Sequence, residues 1–351
     1  MRNHDRLKGG SGGQAAFDAR RREFRELHER GCFVIPNPWD VGSARYLQHL
    51  GFPALATTSA GFAFSQGLPD SDVAVSRDRS LAHIAEIAAS VEVPVNADFQ
   101  SGYGVQPQEV AASVALCVAT GVAGLSVEDS TGERSSPLYE LSLAVERIQA
   151  ARQAIDRSGG GVLLTARAEC YHVGHPDAFR ESVRRLQAYA EAGADVLFAP
   201  GPDKADEIRA LVEAVRPKPF NLLVVRDIGL GVSDIAALGV RRISVGGALA
   251  LAAWTGFLRA SQTLKSEGSF AGFARLAPYA DINGFLAEDL RARRTRGILL
   301  EDANADAGAD LGAPYERLCN TVKIDDKNDG ELDCDAPQTP GTDPSMRRRR
   351  R

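Results

Sequence analysis

The sequence predicts an α/β protein with a (β/α)8 TIM-barrel fold, and three observations carry this prediction. Eight short apolar segments recur along the chain, each bounded by turn residues. Helical patterns, with apolar residues at i, i+3, i+4 and i+7, lie between them. The eight units occupy about 220 residues, the usual extent of such a barrel. A doubly wound sheet is the alternative, but no GxGxxG motif follows the first strand to favour it.

The predicted strands are continuously apolar, which is typical of parallel strands covered on both faces. In chain order they comprise residues 32–37, 53–59, 93–99, 124–130, 162–169, 194–200, 218–224 and 241–248. The helical patterns between them include RDRSLAHIAEIAASV before the third strand and FRESVRRLQAYAEAG before the sixth. Several helices close at a glycine, such as Gly51, Gly121 or Gly193, which suits a helix C-cap leading into the next strand.

The flanking regions differ from the barrel in composition. We expect residues 1–20 to form a flexible N-terminus and residues 21–293 to form the barrel domain. Residues 294–351 have few large apolar side chains and end in five arginines, so we expect them to be largely disordered. A terminal run of arginines is more commonly a solvated charged segment than a contact with an acidic partner.

Bulk composition narrows the class of partner. The 351 residues carry a net charge of -5, whereas binders of nucleic acid or anionic membranes need a basic excess. No apolar run reaches the length of a membrane span. The five scattered cysteines form no CxxC pair, so neither a disulfide framework nor a zinc site is indicated. These features favour a cytoplasmic protein with a small-molecule partner.

In a TIM barrel the reacting groups lie at the C-terminal ends of the strands. Asp98 and Gln100 follow the third strand, and Glu128 follows the fourth. Their oxygens suit a hard divalent cation, Mg2+ or alternatively Mn2+. The other interpretation is an ion-pair network in which Asp98 and Glu128 face Arg167. The two are compatible, because one acid can hold a metal and also orient an arginine.

Three further strand ends offer binding groups for an anion. Arg167 suits a fixed clamp for a carboxylate, phosphonate or enolate oxygen, or else forms a salt bridge with Glu169 or Glu128. The segment 57–61 is interpreted as an anion cradle or as a simple β-to-α turn. Gly246 and Gly247 suit a phosphate-type site or close packing.

Other reactive residue types give weaker signals. No lysine lies at the C-terminal end of a strand, which argues against a Schiff-base aldolase. His172 and His175 follow the fifth strand and could move protons, although histidines in such a loop are commonly surface residues. Cys170 is a nucleophile candidate by position alone, since no partner base is evident.

The strand-end residues, in their order, resemble the isocitrate lyase / phosphoenolpyruvate mutase (phosphonomutase-like) superfamily. The resemblance runs from about Phe24 to about Arg293 and includes the segments NPWDVGSAR, TTSAGFAFSQGLPD, NADFQSGYG, GLSVEDS, LLTARAE and RRISVGGAL. It implies a barrel that binds Mg2+ and acts on a 2-oxo or 2-hydroxy acid through an enolate. It also implies a homodimer or homotetramer in which a C-terminal helix is exchanged between subunits.

The resemblance assigns roles by position. Asp98 matches the direct metal contact, Glu128 an acid that holds the metal through water, and Gln100 falls where the family usually has Asp or Glu. Asp70 matches the acid that closes the GLPD loop, and Asn221 an active-site asparagine. Arg167 matches the substrate-binding arginine. The substrate-binding set that we expect comprises Trp39, Thr57, Thr58, Ser59, Ala60, Arg167, Gly246 and Gly247.

Departures from the family limit the reaction. The segment EDSTGERSSPLYE lacks the catalytic cysteine of the lyase branch and the lysine that follows the acid in the mutase branch. Decarboxylation or carbon–carbon cleavage of a small 2-oxo or 2-hydroxy acid needs the least additional machinery. Phosphonomutase chemistry at a P–C bond and a catalytically weak metabolite-binding homologue are the alternatives.

Overall fold

Eight parallel strands form one nearly closed barrel, with helices between successive strands. The computed structural model describes residues 11–296. The strands are β1 (Phe33–Ile35), β2 (Leu55–Ala56), β3 (Val95–Asp98), β4 (Gly124–Glu128), β5 (Leu163–Arg167), β6 (Val196–Phe198), β7 (Phe220–Leu223) and β8 (Arg242–Ser244). Each lies inside a segment predicted from the sequence, so the predicted TIM barrel is confirmed. The expected tail falls outside the described residues from residue 297 onward.

The helices follow the predicted alternation, with additional helices before the first strand and after the last. They are α1 (Ser11–Glu29), α2 (Val41–His49), α3 (Ser59–Ser65), α4 (Arg77–Ser90), α5 (Pro107–Ala119), α6 (Leu141–Arg157), α7 (Ala178–Glu191), α8 (Ala205–Ala214), α9 (Val232–Ala237), α10 (Ala248–Glu267) and α11 (Tyr279–Thr295). A short 3-10 helix, Ala271–Phe273, lies between the last two. No helix within residues 11–296 is both long and apolar enough to span a membrane.

Asn37 completes the barrel where the strand ladder is weakest. Ladder pairing runs from β2 through β3 to β8 and then to β1. Between β1 and β2 the backbone N–H of Ala56 donates to the carbonyl oxygen of Pro36 at 3.1 Å. The Asn37 side chain donates to the Thr57 carbonyl at 2.8 Å and accepts from the Gly246 N–H at 2.8 Å. One buried amide therefore connects the loops that follow β1, β2 and β8.

Residues 11–20 are helical, which corrects the expectation of a flexible segment over residues 1–20; residues 1–10 lie outside the described part of the chain. Arg20 donates to the carbonyl oxygens of Ala88 and Val91, at the end of α4. Arg21 makes the same kind of contact with Val118 and Val122, at the end of α5. A basic side chain satisfies the unpaired carbonyls at a helix C-terminus, so these contacts hold α1 against the barrel.

The register of the strands determines which side chains meet at the barrel mouth. Glu128 lies opposite Arg167 in the β4–β5 ladder, and Arg167 lies opposite Phe198 in the β5–β6 ladder. Asn221 lies opposite Arg242 in the β7–β8 ladder. Because all strands are parallel, the polar ends of β3, β4 and β5 share one end of the barrel.

Candidate active site

Arg167 lies at the centre of the predicted site and is surrounded by carboxylates. Its Nη1 atom is 3.2 Å from Glu128 Oε2 and 3.7 Å from Asp98 Oδ1. Its Nε and Nη2 atoms donate to the two carboxylate oxygens of Glu169. The guanidinium carbon is also 5.1 Å from the centre of the Phe198 ring. The predicted ion-pair network therefore exists, and it holds the guanidinium in one orientation.

The carboxylates outnumber the arginine, and the electrostatics reflect this. Burial raises the pKa of Glu128 well above its ordinary value; Arg167 opposes the shift, while Glu169 and Asp98 add to it. Burial lowers the pKa of Arg167, but the three carboxylates more than offset that effect and the pKa is raised. Burial and then Asp98 raise the pKa of Asp70. A bound cation would relieve this accumulation of negative charge.

The loop after β2 positions Asp98. The backbone N–H of Ser59 donates to Asp98 Oδ2 at 2.9 Å, and the Asp98 N–H donates to Thr57 Oγ1 at 2.9 Å. Thr58 caps α3 by accepting from the Gly61 N–H at 3.2 Å. Part of the predicted anion cradle is therefore already used to hold an acid, and Asp98 Oδ1 is the oxygen that faces Arg167.

Gln100 has an unusual backbone and an unsatisfied side chain. Its φ is 47°, a left-handed conformation that costs a non-glycine residue about 1 kcal/mol. Its side-chain Nε2 donates to Asp70 Oδ1 at 3.0 Å, and its backbone carbonyl oxygen accepts from the Glu128 N–H at 2.9 Å. Its Oε1 is buried and has no hydrogen-bond partner among the described residues. A metal ion or a metal-bound water would satisfy that oxygen.

Asp98, Gln100 and Glu128 are thus the residues that could hold a divalent cation. Within residues 11–296 no group of three His, Cys, Asp or Glu side chains is arranged to bind a metal. The chemistry of this set, two carboxylates and one orphaned amide oxygen, still fits Mg2+, which commonly takes one or two carboxylates and completes its shell with waters and substrate oxygens. The protein itself would therefore supply only a few of the ligands of the metal.

Two neighbouring residues stabilise this arrangement from outside. Arg147, from α6, donates to the carbonyl oxygens of Ser101 and Gly104 and stacks on Tyr139, with its guanidinium carbon 3.7 Å from the ring centre. Asp129 accepts from the Glu169 N–H at 2.8 Å and so ties the end of β4 to the end of β5. Both are positioning residues for the mouth.

A cavity of about 200 Å3 opens beside Arg167 and extends into the barrel. It brings together most of the predicted site residues: Thr57, Thr58, Ser59, Ala60, Asp70, Asp98, Arg167, Asn221, Gly246 and Gly247. Trp39, Gln100 and Glu128 are not among its lining residues. Asn37 lines the cavity in place of the predicted Trp39, which instead packs beside Gly61. Gly246 lines it too, but its N–H is bound by Asn37.

Several lining residues were missed or undervalued in the sequence. His172 is exposed but lies at the cavity, so the loop after β5 does contribute to the site. Asn96, Ser126 and Arg242 line the cavity from strand positions that precede the C-terminal ends of their strands. The available signal for Arg242 was an arginine within a segment, RRIS, that is predicted to form a buried strand.

Asn221, predicted as catalytic, has both polar atoms occupied. Its Oδ1 accepts from Arg242 Nε at 2.7 Å, and its Nδ2 donates to Ser244 Oγ at 2.9 Å. It is completely buried. The contacts are those of a residue that positions Arg242.

Two other candidates have no place in the site. Cys170 is buried, and burial raises the pKa of its thiol to about 11, so it is a poor nucleophile. An open depression of about 570 Å3 near Asp72 and Tyr103 is larger than the cavity at Arg167. Its lining includes neither Asp98 nor Arg167, so we assign the chemistry to the smaller cavity.

Residues 24–265 match a family model described as phosphoenolpyruvate phosphomutase. A crystal structure from Burkholderia cenocepacia J2315, provisionally assigned as a lyase/mutase, shares 45% identity with a TM-score of 0.74; the match covers 78% of this chain and 98% of that chain. A solved phosphonopyruvate hydrolase in complex with oxalate and Mg2+ shares 26% identity with a TM-score of 0.67, over 80% of this chain and 99% of that chain.

Matches to curated relatives also extend over most of this chain. An uncharacterized protein of Mycobacterium tuberculosis strain H37Rv is 32% identical over 266 residues, which are 76% of this chain and 96% of the relative. The oxaloacetate decarboxylase of Pseudomonas entomophila is 29% identical over 246 residues, which are 66% of this chain and 79% of that enzyme.

Proposed function

Because this chain belongs to the phosphoenolpyruvate phosphomutase family, whose members and relatives are lyases or mutases, we propose that it is a Mg2+-dependent lyase or decarboxylase. Its substrate is a small 2-oxo or 2-hydroxy carboxylic acid, and bond cleavage leaves an enolate. The observation that carries the proposal is the cluster of Asp98, Glu128 and Glu169 around Arg167 at the cavity mouth. Similarity to an oxaloacetate decarboxylase and to a hydrolase solved with Mg2+ and oxalate supports it.

Asp98, Gln100 and Glu128 would hold the metal, directly or through water. When bound, Mg2+ supplies the positive charge that stabilises an enolate oxygen. Asp70 keeps the Gln100 amide oriented by accepting its Nε2 hydrogen bond. The loop at Thr57 and Ser59 fixes Asp98 through two hydrogen bonds, so the acid is held in place before substrate arrives.

Arg167 binds the substrate and stabilises charge. It lines the cavity, and its contacts with Glu169 and Phe198 fix the plane of its guanidinium. A fixed guanidinium donates to a carboxylate or developing enolate without reorganising during the reaction. His172 also lines the cavity, where a general acid for the enolate carbon would act.

Phosphonomutase chemistry is the second candidate, because the matching family model is that of a phosphomutase. It differs in the bond that is broken, P–C instead of C–C, and leaves the same enolate. The absence of lysine after Glu128-Asp129 in this sequence weighs against it.

The test is a substrate screen with and without Mg2+. Oxaloacetate, phosphonopyruvate, phosphoenolpyruvate, methylisocitrate and substituted malates are each incubated with the purified chain, and pyruvate release and phosphorus NMR are measured. We expect pyruvate release from a carboxylic acid that stops when EDTA is added. Turnover of a phosphonate alone would replace the lyase with the phosphonomutase. If nothing turns over and no 2-oxo acid raises the melting temperature with Mg2+, the enzymatic proposal is wrong.

We also propose that the chain forms a homodimer or homotetramer through its C-terminal helices. Large apolar side chains are exposed along this region, including Phe257 at 59%, Phe270 at 70% and Leu276 at 67%. Such a surface is unusual for a monomer, and a second copy of the chain would cover it by exchanging these helices. Sedimentation equilibrium is expected to give an oligomer in the wild type and dissociation in Phe257→Glu. A monomeric wild type would contradict this part of the proposal.

A further inference from the structure

A polar layer lies inside the barrel, below the cluster around Arg167. Its central residue is Arg242, on β8, which is 3% exposed. Its Nε donates to Asn221 Oδ1 at 2.7 Å, and its Nη2 donates to Thr165 Oγ1 at 3.1 Å. Its Nη1 lies 3.5 Å from Nε2 of His28, a residue of α1. Three neutral partners therefore fix the guanidinium in the interior.

Among the described residues, no carboxylate compensates the charge of Arg242. Within residues 11–296 no Asp or Glu lies at ion-pair distance from it, although buried arginines are ordinarily paired. His28 does not compensate it either, because its Nδ1 is 2.7 Å from the Phe24 carbonyl oxygen and must donate there, which leaves Nε2 as a neutral acceptor. The three hydrogen bonds use three of the five N–H groups of the guanidinium, so donors remain for another acceptor.

The cavity reaches this arginine. Arg242 and Ser244 line the same space of about 200 Å3 as Asp98 and Arg167. One end of that space is lined by Asp70, Asp98 and Arg167, and the other contains an arginine without a carboxylate. A ligand that binds a metal at the first end and extends inward would bring its far end to Arg242.

We propose that Arg242 binds the distal carboxylate of the substrate inside the barrel, and so selects 2-oxo dicarboxylic acids over 2-oxo monocarboxylic acids. The inference rests on the proposed function, since it supposes that the 2-oxo acid end of the substrate lies at Asp98 and Arg167. A carboxylate accepts two parallel hydrogen bonds from a guanidinium, and its charge would compensate the buried cation. Asn221 acts here as a positioning residue, because its amide orients the Arg242 fork.

The experiment compares ligands that differ only at the distal group. Titration calorimetry with Mg2+ measures two pairs: oxaloacetate against 2-oxobutyrate, and 2-oxoglutarate against 2-oxovalerate. In the wild type we expect one dicarboxylate to bind at least tenfold more tightly than its methyl-ended partner. In Arg242→Gln we expect that preference to fall by tenfold or more while the monocarboxylate affinity changes less than twofold.

Two further variants make the result specific. Arg241→Gln removes the adjacent arginine, which bonds to the Gly31 carbonyl and does not line the cavity, and it should keep the wild-type preference. Arg242→Lys keeps the charge but loses the planar fork; it should show an intermediate preference, and it replaces Arg242→Gln should that variant fail to fold. A preference unchanged in both Arg242 variants, or a wild type that binds each pair equally, overturns the inference and leaves the proposed function intact. A wild type that binds neither member of either pair overturns the proposed function as well.

Discussion

The two arginines in the cavity have opposite surroundings. Arg167, at the mouth, faces Asp98, Glu128 and Glu169, and its pKa is raised because these carboxylates outweigh the effect of burial. Arg242, in the interior, has neutral partners, and burial lowers its pKa to about 9. The same residue type therefore lies in an acidic environment at one end of the cavity and in an uncompensated one at the other.

This difference indicates what each end lacks. The mouth has more negative than positive charge, so a cation would stabilise it; the interior has an unpaired positive charge, so an anion would stabilise it. A metal-bound dicarboxylate would supply both. Each region therefore makes its own measurable prediction.

The largest effect is expected at the mouth, from Asp98→Ala. The acid is held by Thr57 and Ser59 and is the proposed direct contact of the metal. Its loss should reduce Mg2+-dependent turnover about 10³-fold, equivalent to ~4 kcal/mol, because metal stabilisation of the enolate is worth several kcal/mol. The measurement is kcat/KM on the substrate found in the screen.

Asp203→Ala serves as the control. Asp203 is a half-exposed acid in the loop after β6 that pairs with Arg226. Activity within twofold of wild type is expected there. Equal losses in the two variants would remove Asp98 from the reaction.

A stability comparison tests the two arginines directly. Arg167→Met leaves three partly buried carboxylates without their cation and should cost about 3 kcal/mol of unfolding free energy, a value reduced for the 18% exposure of the side chain. Arg242→Met removes an uncompensated buried charge, which offsets the cost of leaving the Asn221 and Thr165 acceptors unpaired, so the net change in stability should be about 1 kcal/mol. Urea midpoints at fixed protein concentration measure both. Similar losses of unfolding free energy in the two variants would mean that the different surroundings of Arg167 and Arg242 have no effect on stability.

The sequence predicted the architecture better than the connections within it. Each strand was identifiable because a covered parallel strand is continuously apolar, and the strand-end rule then placed Asp98, Glu128 and Arg167 at one mouth. The hydrogen bond from Gln100 to Asp70 joins residues 30 positions apart, and Asn37 binds a backbone group 209 positions away. Such pairings depend on loop geometry, and no local pattern encodes them.

The interior layer was missed for a related reason. Sequence patterns identify a strand by its apolar character, so the polar residues Thr165 and Arg242, which are hydrogen-bonded in the structure, read as separate interruptions and not as a pair. Their meeting inside the barrel follows from strand tilt and register. The contacts of Arg20 and Arg21 with distant helix ends, which hold the start of helix α1, are likewise not encoded in a local pattern.

The interior also makes the chain sensitive to acid through His28. Burial, and then Arg242, lower the pKa of His28 to about 3, below its unfolded value near 6.5. The unfolded chain therefore binds a proton between those values that the folded chain does not, so stability is lost as pH falls through 6.5. Between pH 7 and pH 5 the loss from this residue is about 2 kcal/mol.

His28→Gln should remove that part of the pH dependence, because a glutamine can donate to the Phe24 carbonyl and accept from Arg242 without titrating. His83, whose pKa burial lowers to about 4, retains its own contribution in the variant. Urea unfolding at pH 7 and pH 5 gives the slope, and the exposed His172→Gln is the control. If His28→Gln loses as much stability on acidification as the wild type, His28 is already protonated in the folded chain.

The smallest effect concerns Gln100, where the mouth departs from an all-acid metal site. In Gln100→Glu the isosteric carboxylate replaces the orphaned amide oxygen and adds one negative charge beside Asp70. Two opposed results follow from the same charge: Mg2+ should bind about tenfold more tightly, ~1.4 kcal/mol, while the metal-free protein should melt at a lower temperature because a fourth carboxylate joins Asp70, Asp98 and Glu128. Calorimetric titration with MgCl2 measures the affinity, and melting in EDTA measures the metal-free stability, with the exposed Gln187→Glu as the matched control.

Tighter binding of Mg2+ by Gln100→Glu without the loss of metal-free stability would mean that the introduced carboxyl group is protonated until metal arrives. Unchanged affinity would place residue 100 outside the metal shell and leave its left-handed backbone, φ 47°, as a feature of the turn alone.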